Sequence, residues 1–291
     1  MDEVLLGKPL ATRLALACLL ARGHLLLEDL PGMGKTTLAS SIASLIGLEY
    51  SRVQFTSDML PADLIGVQTF DAATQEFSFR KGPVFTQLLL ADEINRGSSR
   101  TQSALLEAMA EYQVSVDRQC YELKRPFFVI ATQNPQDQSG TFVLPESELD
   151  RFAMRVEIGY PSPEAERRML LGEGGNTDLS PIMSVSELLE AQEEVAAIKI
   201  SDTSLSYLLA LVDATRVPGK VPNPLSPRAS KALLACSRAW AYIKGRAMVT
   251  ADDIQSVFPH VAEHRMRRGA ATVGSANGLS RSVIASVDPI M

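Results

Sequence analysis

The chain has 291 residues and a formal net charge of −6. That length suits one large or two ordinary domains with a sizeable core, and the acidic balance gives no general attraction to nucleic acid, although local basic clusters remain open. The three cysteines, Cys18, Cys120 and Cys236, are far apart without metal-ligand spacing, and no apolar run approaches the roughly 18 residues of a membrane span. They read as reduced thiols used for packing. The first residues include Asp2 and Glu3 and no basic run, unlike a secretory signal, so the expectation is a cytoplasmic protein.

An apolar-rich stretch from Leu10 to Leu20 predicts a helix, with Leu10, Leu14, Ala17 and Ala21 on one face. Leu25 to Leu27 then suit a buried parallel strand. The chain turns through Pro31, Gly32, Met33 and Gly34, and Lys35, Thr36 and Thr37 open a helix that ends near Gly47. Strand, glycine turn, Lys-Thr and helix are the layout of a P-loop, whose backbone N–H groups and helix N-terminus receive phosphate oxygens. Residues 31–37 are the candidate nucleotide-binding segment. In it Lys35 would reach the β/γ-phosphates of a nucleotide, and the Thr36 hydroxyl would bind Mg²⁺. Asp29 stands where the usual pattern has glycine, a cost in affinity unless its carboxylate turns away. The plain alternative is a tight turn before an ordinary helix.

A second strand is expected over Tyr50–Phe55, followed by a short helix and loop. Alternation predicts a hairpin near residues 67–80. Leu88-Leu89-Leu90-Ala91 then runs into Asp92-Glu93. After a P-loop, Asp92 is placed to hold Mg²⁺ through water, and Glu93 to take or orient the proton of the attacking water; paired acids also occur as helix caps. A helix from Ser98 to Ala110, capped by Ser98 or Ser99, a second hairpin near 112–125 and a buried strand over Phe127–Thr132 follow. That strand ends at Gln133-Asn134, where open α/β sheets bind ligands, so Asn134 is placed to orient the same water; a loop asparagine bonded within its turn is the alternative. Beyond a polar loop over 136–141, Arg151 lies beside Glu148 and Asp150, which makes a local ion pair possible, and Val156–Ile158 reads as the last strand.

Composition shifts after Tyr160-Pro161-Ser162-Pro163. From there only helices are expected: 164–171, 187–197, 202–214, Pro227 to about Ile243, and 250–264 capped by Thr250 and Asp253. The tail from Gly269 lacks a period and reads as loose or extended.

Taken in order, these strings resemble the AAA+ ATPases and, within them, the MoxR family. The resemblance runs from about Leu5 to Arg267. It is carried by Gly23–Asp29 into the P-loop, Ala91–Arg96, Ala131–Pro135, Leu144–Glu146 with Leu149–Phe152, and Ser226–Ala229. It implies an α/β fold: a P-loop core with a parallel central sheet over 1–160, an all-α lid over 161–268, and a tail over 269–291. By the same resemblance Asn134 matches sensor 1, Arg151 the arginine finger offered to a neighbouring subunit, and Arg228 sensor 2, which otherwise reads as a solvated helix-start arginine. The family implies ATP and Mg²⁺ as cofactors, homo-hexameric rings, and remodelling or maturation of protein clients, von Willebrand factor A domain proteins among them. The alternatives are a nucleic-acid motor, against which the acidic charge argues, a chelatase-type AAA+ subunit, and a slow nucleotide-binding switch.

Overall fold

The structure, a computed structural model, describes residues 5–72, 75–134, 142, 144–173, 179–267 and 278–289. The expected polar loop at 136–141, Pro135 and the first part of the tail lie outside the described residues.

Helix α1 (Pro9–Leu20) leads to strand β1 (Leu25–Glu28), helix α2 (Lys35–Ile46) and strand β2 (Tyr50–Gln54). Helix α2 is bounded by two left-handed glycines, Gly34 (φ 89°) and Gly47 (φ 69°), conformations that glycine adopts without Cβ strain. A short helix α3 (Pro61–Ile65) is followed by β3 (Gly66–Asp71) and β4 (Glu76–Lys81), which pair as an antiparallel hairpin. Strand β5 (Leu88–Asp92) passes through a single 3-10 turn into α4 (Ser99–Glu111), capped by Ser98 Oγ accepting from Thr101 N–H at 3.3 Å. The second hairpin is β6 (Gln113–Val116) with β7 (Gln119–Glu122). Then come β8 (Phe128–Gln133), the single-turn α5 (Glu146–Leu149) and β9 (Met154–Val156).

The five core strands form one parallel sheet in the order β2-β5-β8-β1-β9. Side chains alternate across it. Leu25, Leu27, Leu88, Leu90, Phe128 and Ile130 face α1 and α2, whereas Leu26, Leu89, Ala91, Val129 and Ala131 face the α4 side. Both faces are buried, which is why these strands are continuous apolar runs rather than alternating ones. The leucines of β1 are fully buried, each contributing roughly 1.5–3 kcal/mol by transfer from water.

After the core come α6 (Pro163–Leu170), α7 (Val185–Ala197), β10 (Lys199–Ile200), α8 (Asp202–Arg216), α9 (Pro227–Ile243), β11 (Met248–Val249), α10 (Ala251–Met266) and α11 (Gly278–Ala285). The helices begin where the caps say they should. Ser226 Oγ accepts from Ala229 N–H at 3.1 Å with Pro227 in the first turn of α9, and Thr250 N–H donates to Asp253 Oδ2 at 3.0 Å at the start of α10. Helix α9 packs on α1, and α10 on β9, so the core on the α1/α2 face of the sheet runs on into the helical part.

Four sequence expectations need correction. The last core strand is 154–156, not 156–158, because the N–H groups of Ile158 and Gly159 are taken by a side chain described below. The helical part also holds one short parallel pair, β10 with β11. The tail is not extended throughout: residues 278–285 form α11, whose Ser280 N–H donates to the buried Glu263 Oε2 at 2.8 Å. Cys18 and Cys236 are buried as packing residues, but Cys120 is exposed on β7.

Candidate nucleotide site

All five strands of the sheet run the same way, so their carboxyl ends lie together at one edge. The register levels Glu28 with Gln133, and Gln54 with Asp92. A cavity of about 410 Å³ opens there. Pro31, Gly32, Gly34, Lys35, Thr36 and Thr37 line one wall, and Asp92, Glu93 and Asn134 line the other. Segments separated by more than fifty residues in sequence thus converge on one space. Two further residues of β2, Arg52 and Gln54, also line it, and sequence reading missed both.

The loop before α2 is shaped by Gly32 (φ 82°) and Gly34 (φ 89°). A Cβ on Gly34 would also stand 2.9 Å from Leu5 Cδ1, so the loop is packed from the N-terminal side. Asp29 turns away from the cavity. Its Oδ2 accepts from the N–H groups of Ile158 at 2.6 Å and Gly159 at 2.7 Å, and its Oδ1 from Leu30 N–H at 3.0 Å. The carboxylate therefore ties the root of the loop to the segment after β9 instead of facing phosphate. Lys35 Nζ donates to the carbonyls of Asp29 at 2.6 Å and Leu30 at 3.3 Å. Burial pushes its pKa down, against the opposing charges of Asp29, Asp92 and Glu93.

On the facing wall Asp92 accepts from Thr132 Oγ1 at 2.6 Å on Oδ1 and from Arg52 Nη2 at 2.6 Å on Oδ2. The same Thr132 hydroxyl accepts from Glu93 N–H at 2.9 Å, so one buried threonine on β8 fixes both acidic residues. Glu93 has φ 53°, a left-handed conformation rare outside glycine and a mark of local constraint. Its Oε2 accepts from Gln54 Nε2 at 2.7 Å and pairs with Arg96 Nε at 2.9 Å. The alternation of β2, with Val53 and Phe55 inward on the α4 side, was the available signal that Arg52 and Gln54 share the opposite face.

Three sequence candidates do not line this cavity. Met33 packs against the core. Arg151 donates through Nη1 to the Leu106 carbonyl at 2.5 Å. Of the two acids offered as its local partners, Asp150 is engaged elsewhere, by Arg265 Nε at 2.7 Å and Ser226 Oγ at 2.9 Å, whereas Glu148 feels the charge of Arg151. Arg228 is exposed in the first turn of α9.

No cluster of three or more His, Cys, Asp or Glu able to hold a metal ion occurs among the described residues. One carboxylate and one hydroxyl, Asp92 and Thr36, line the cavity together. That donor set fits Mg²⁺, which binds through one or two protein oxygens with phosphate and water completing its shell.

The family model described as "ATPase family associated with various cellular activities (AAA)" matches residues 24–154, and the AAA lid domain model matches 214–281. The chain is 38% identical over 276 residues to Chaperone MoxR1 of Mycobacterium tuberculosis, covering 91% of this chain and 73% of that protein. The chain belongs to the MoxR family of AAA+ ATPases. It is 44% identical over 269 residues to the uncharacterized protein YeaC of Bacillus subtilis, covering 91% of this chain and 84% of the relative. Among solved structures it resembles one from Cytophaga hutchinsonii, described as a candidate ATPase, with a TM-score of 0.85 and 34% identity, over 98% of this chain and 90% of that one. The parallel-sheet core and helical lid implied by the sequence are those of this family.

Proposed function

We propose that this MoxR-family chain is a Mg²⁺-dependent ATP hydrolase whose turnover drives remodelling or maturation of protein partners. The observation that carries the reading is the cavity at the carboxyl edge of the sheet, in which a phosphate-loop lysine faces two acids and an amide. The loop N–H groups and Lys35 bind and orient the phosphates. Thr36 and Asp92 would hold Mg²⁺, which neutralises charge on the transferred group when bound. Glu93 accepts the proton of the attacking water, and Asn134 orients that water. Arg151 serves the nucleotide of a neighbouring chain in a homo-hexameric ring, and Arg228 responds to nucleotide from the lid. An arginine acting in trans need not line its own chain's cavity, and Arg151 does not.

The chaperone name of the Mycobacterium tuberculosis relative supports a protein client. The two hairpins are the proposed contact surface. Phe70 and Phe77 are 56% and 71% exposed, and Phe79 of one hairpin stacks on Tyr121 of the other at 4.2 Å. Among the described residues no helix is long and apolar enough to cross a membrane, and we assign the work to the cytoplasm.

Removing the Lys35 ammonium tests the reading. Lys35→Ala should lose ATP binding in equilibrium titration and, with it, all phosphate release, while its far-ultraviolet circular dichroism matches wild type. Unchanged ATP affinity in that folded variant would refute the site.

A further inference from the structure

Arg52 was no part of the sequence reading, yet it holds the acid on which metal binding depends. Its Nη2 lies 2.6 Å from Asp92 Oδ2. The other oxygen, Oδ1, is taken by Thr132. Each oxygen of Asp92 thus has a protein partner, and a cation bound at Oδ2 would compete with Arg52.

The two partners of Asp92 differ in mobility. Thr132 is fully buried on the central strand β8 and also receives Glu93 N–H. Arg52 is on β2, the edge strand of the sheet, with its side chain 49% exposed against 12% for Asp92. The partner free to leave is therefore Arg52. Charge points the same way. The lining residues include two cations, Lys35 and Arg52, and two anions, Asp92 and Glu93, so the cavity is balanced without ligand. A triphosphate brings several negative charges at once, and an Asp92 carboxylate with neither Arg52 nor a metal beside it would repel them.

We propose that Arg52 is the counter-ion of Asp92 when no divalent cation is bound, and that Mg²⁺ and Arg52 exchange at that carboxylate. The inference rests on the ATPase reading and deepens it. Arg52 becomes a positioning residue that sets how strongly nucleotide binding depends on Mg²⁺. It also lets the site take ATP before the metal arrives.

The test is the ratio of ATP dissociation constants in excess EDTA and in saturating Mg²⁺, measured with a fluorescent ATP analogue for wild type, Arg52→Met and Arg52→Lys. Without metal, Arg52→Met should lose about tenfold or more in affinity, because the Asp92 carboxylate then faces the phosphates uncompensated. With Mg²⁺ it should lose much less, so the ratio rises, and Arg52→Lys should fall between. A second readout needs no nucleotide: MgCl₂ alone, at matched ionic strength, should raise the melting temperature of Arg52→Met more than that of wild type, because Asp92 has lost its partner. A purely structural Arg52 would weaken binding equally in both conditions and leave the ratio unchanged, which overturns the inference while the ATPase reading stands. Wild type failing to bind ATP under either condition would overturn both.

Discussion

Asp29 is the one residue at which this P-loop departs from the usual glycine, and its carboxylate does structural work at a distance. It receives three N–H groups, two of them from Ile158 and Gly159 at the exit of the last core strand. Restoring the familiar glycine should therefore harm the protein. Asp29→Gly leaves those donors without their acceptor and should destabilise the fold by roughly 1–3 kcal/mol. Asp29→Asn keeps one oxygen acceptor and should cost less. Denaturant unfolding of the three proteins checks the order; an Asp29→Gly protein as stable as wild type would show that the contact contributes nothing. From sequence, the departure was visible and its harmlessness was conditional on the carboxylate turning away. Its partners were not legible, because they lie 129 and 130 residues further along the chain. Arg52 and Gln54 were missed for the same reason: only the pairing of β2 with β5 brings them beside the acids.

At the scale of elements, most core strands and most helix starts were legible because their signals are local: apolar runs, caps, and proline in the first turn. What joins the elements was not. The helix α11 was hidden in a tail of small residues, since its N-terminal support comes from Glu263 on α10. Phe79 and Tyr121 could each be read into a hairpin, but not onto each other. His24 shows how a junction between elements acquires a pH dependence. At the entry to β1 it accepts Val129 N–H on Nδ1 at 3.1 Å and meets the Met109 carbonyl through Nε2 at 3.1 Å, joining β8 to α4. Burial outweighs the bond to Met109 and lowers its pKa from 6.5 to about 4. The unfolded chain thus takes up a proton near pH 6.5 while the folded chain does so only near 4. Stability is complete above the upper value and falls as pH drops toward the lower one, by roughly 3 kcal/mol for this group. His260 and His264 are lowered by burial too and act in the same direction. His24→Gln keeps a donor and an acceptor without the titration, so its loss of stability between pH 6.5 and 4 should be shallower. An identical slope for the two proteins would exclude His24 as a contributor.

At the scale of the whole molecule, the lid is fastened to the core beside the proposed finger. Arg265 of α10 donates to Asp150 Oδ1 at 2.7 Å and to the carbonyl of Phe152 at 2.6 Å, while Ser226 at the start of α9 reaches the same carboxylate. The loop that carries Arg151 is thus held from the lid, and Arg151 itself is held by α4. The sequence named Arg151 and offered Glu148 and Asp150 as its local partners; the structure gives Asp150 to Arg265, while the charge of Arg151 still acts on Glu148. The central claim is that ATP is hydrolysed with Glu93 as base in one chain and Arg151 supplied by the next. Phosphate release from Glu93→Gln, from Arg151→Ala and from the two co-assembled tests it most directly. Each variant alone should bind ATP and turn over poorly, arginine fingers being worth roughly 10³–10⁵ in rate. The mixture, with subunit exchange shown independently, should release phosphate faster than the sum of its parents, because some interfaces then join an intact Glu93 to an intact Arg151. Either variant alone releasing phosphate at the wild-type rate would contradict the claim.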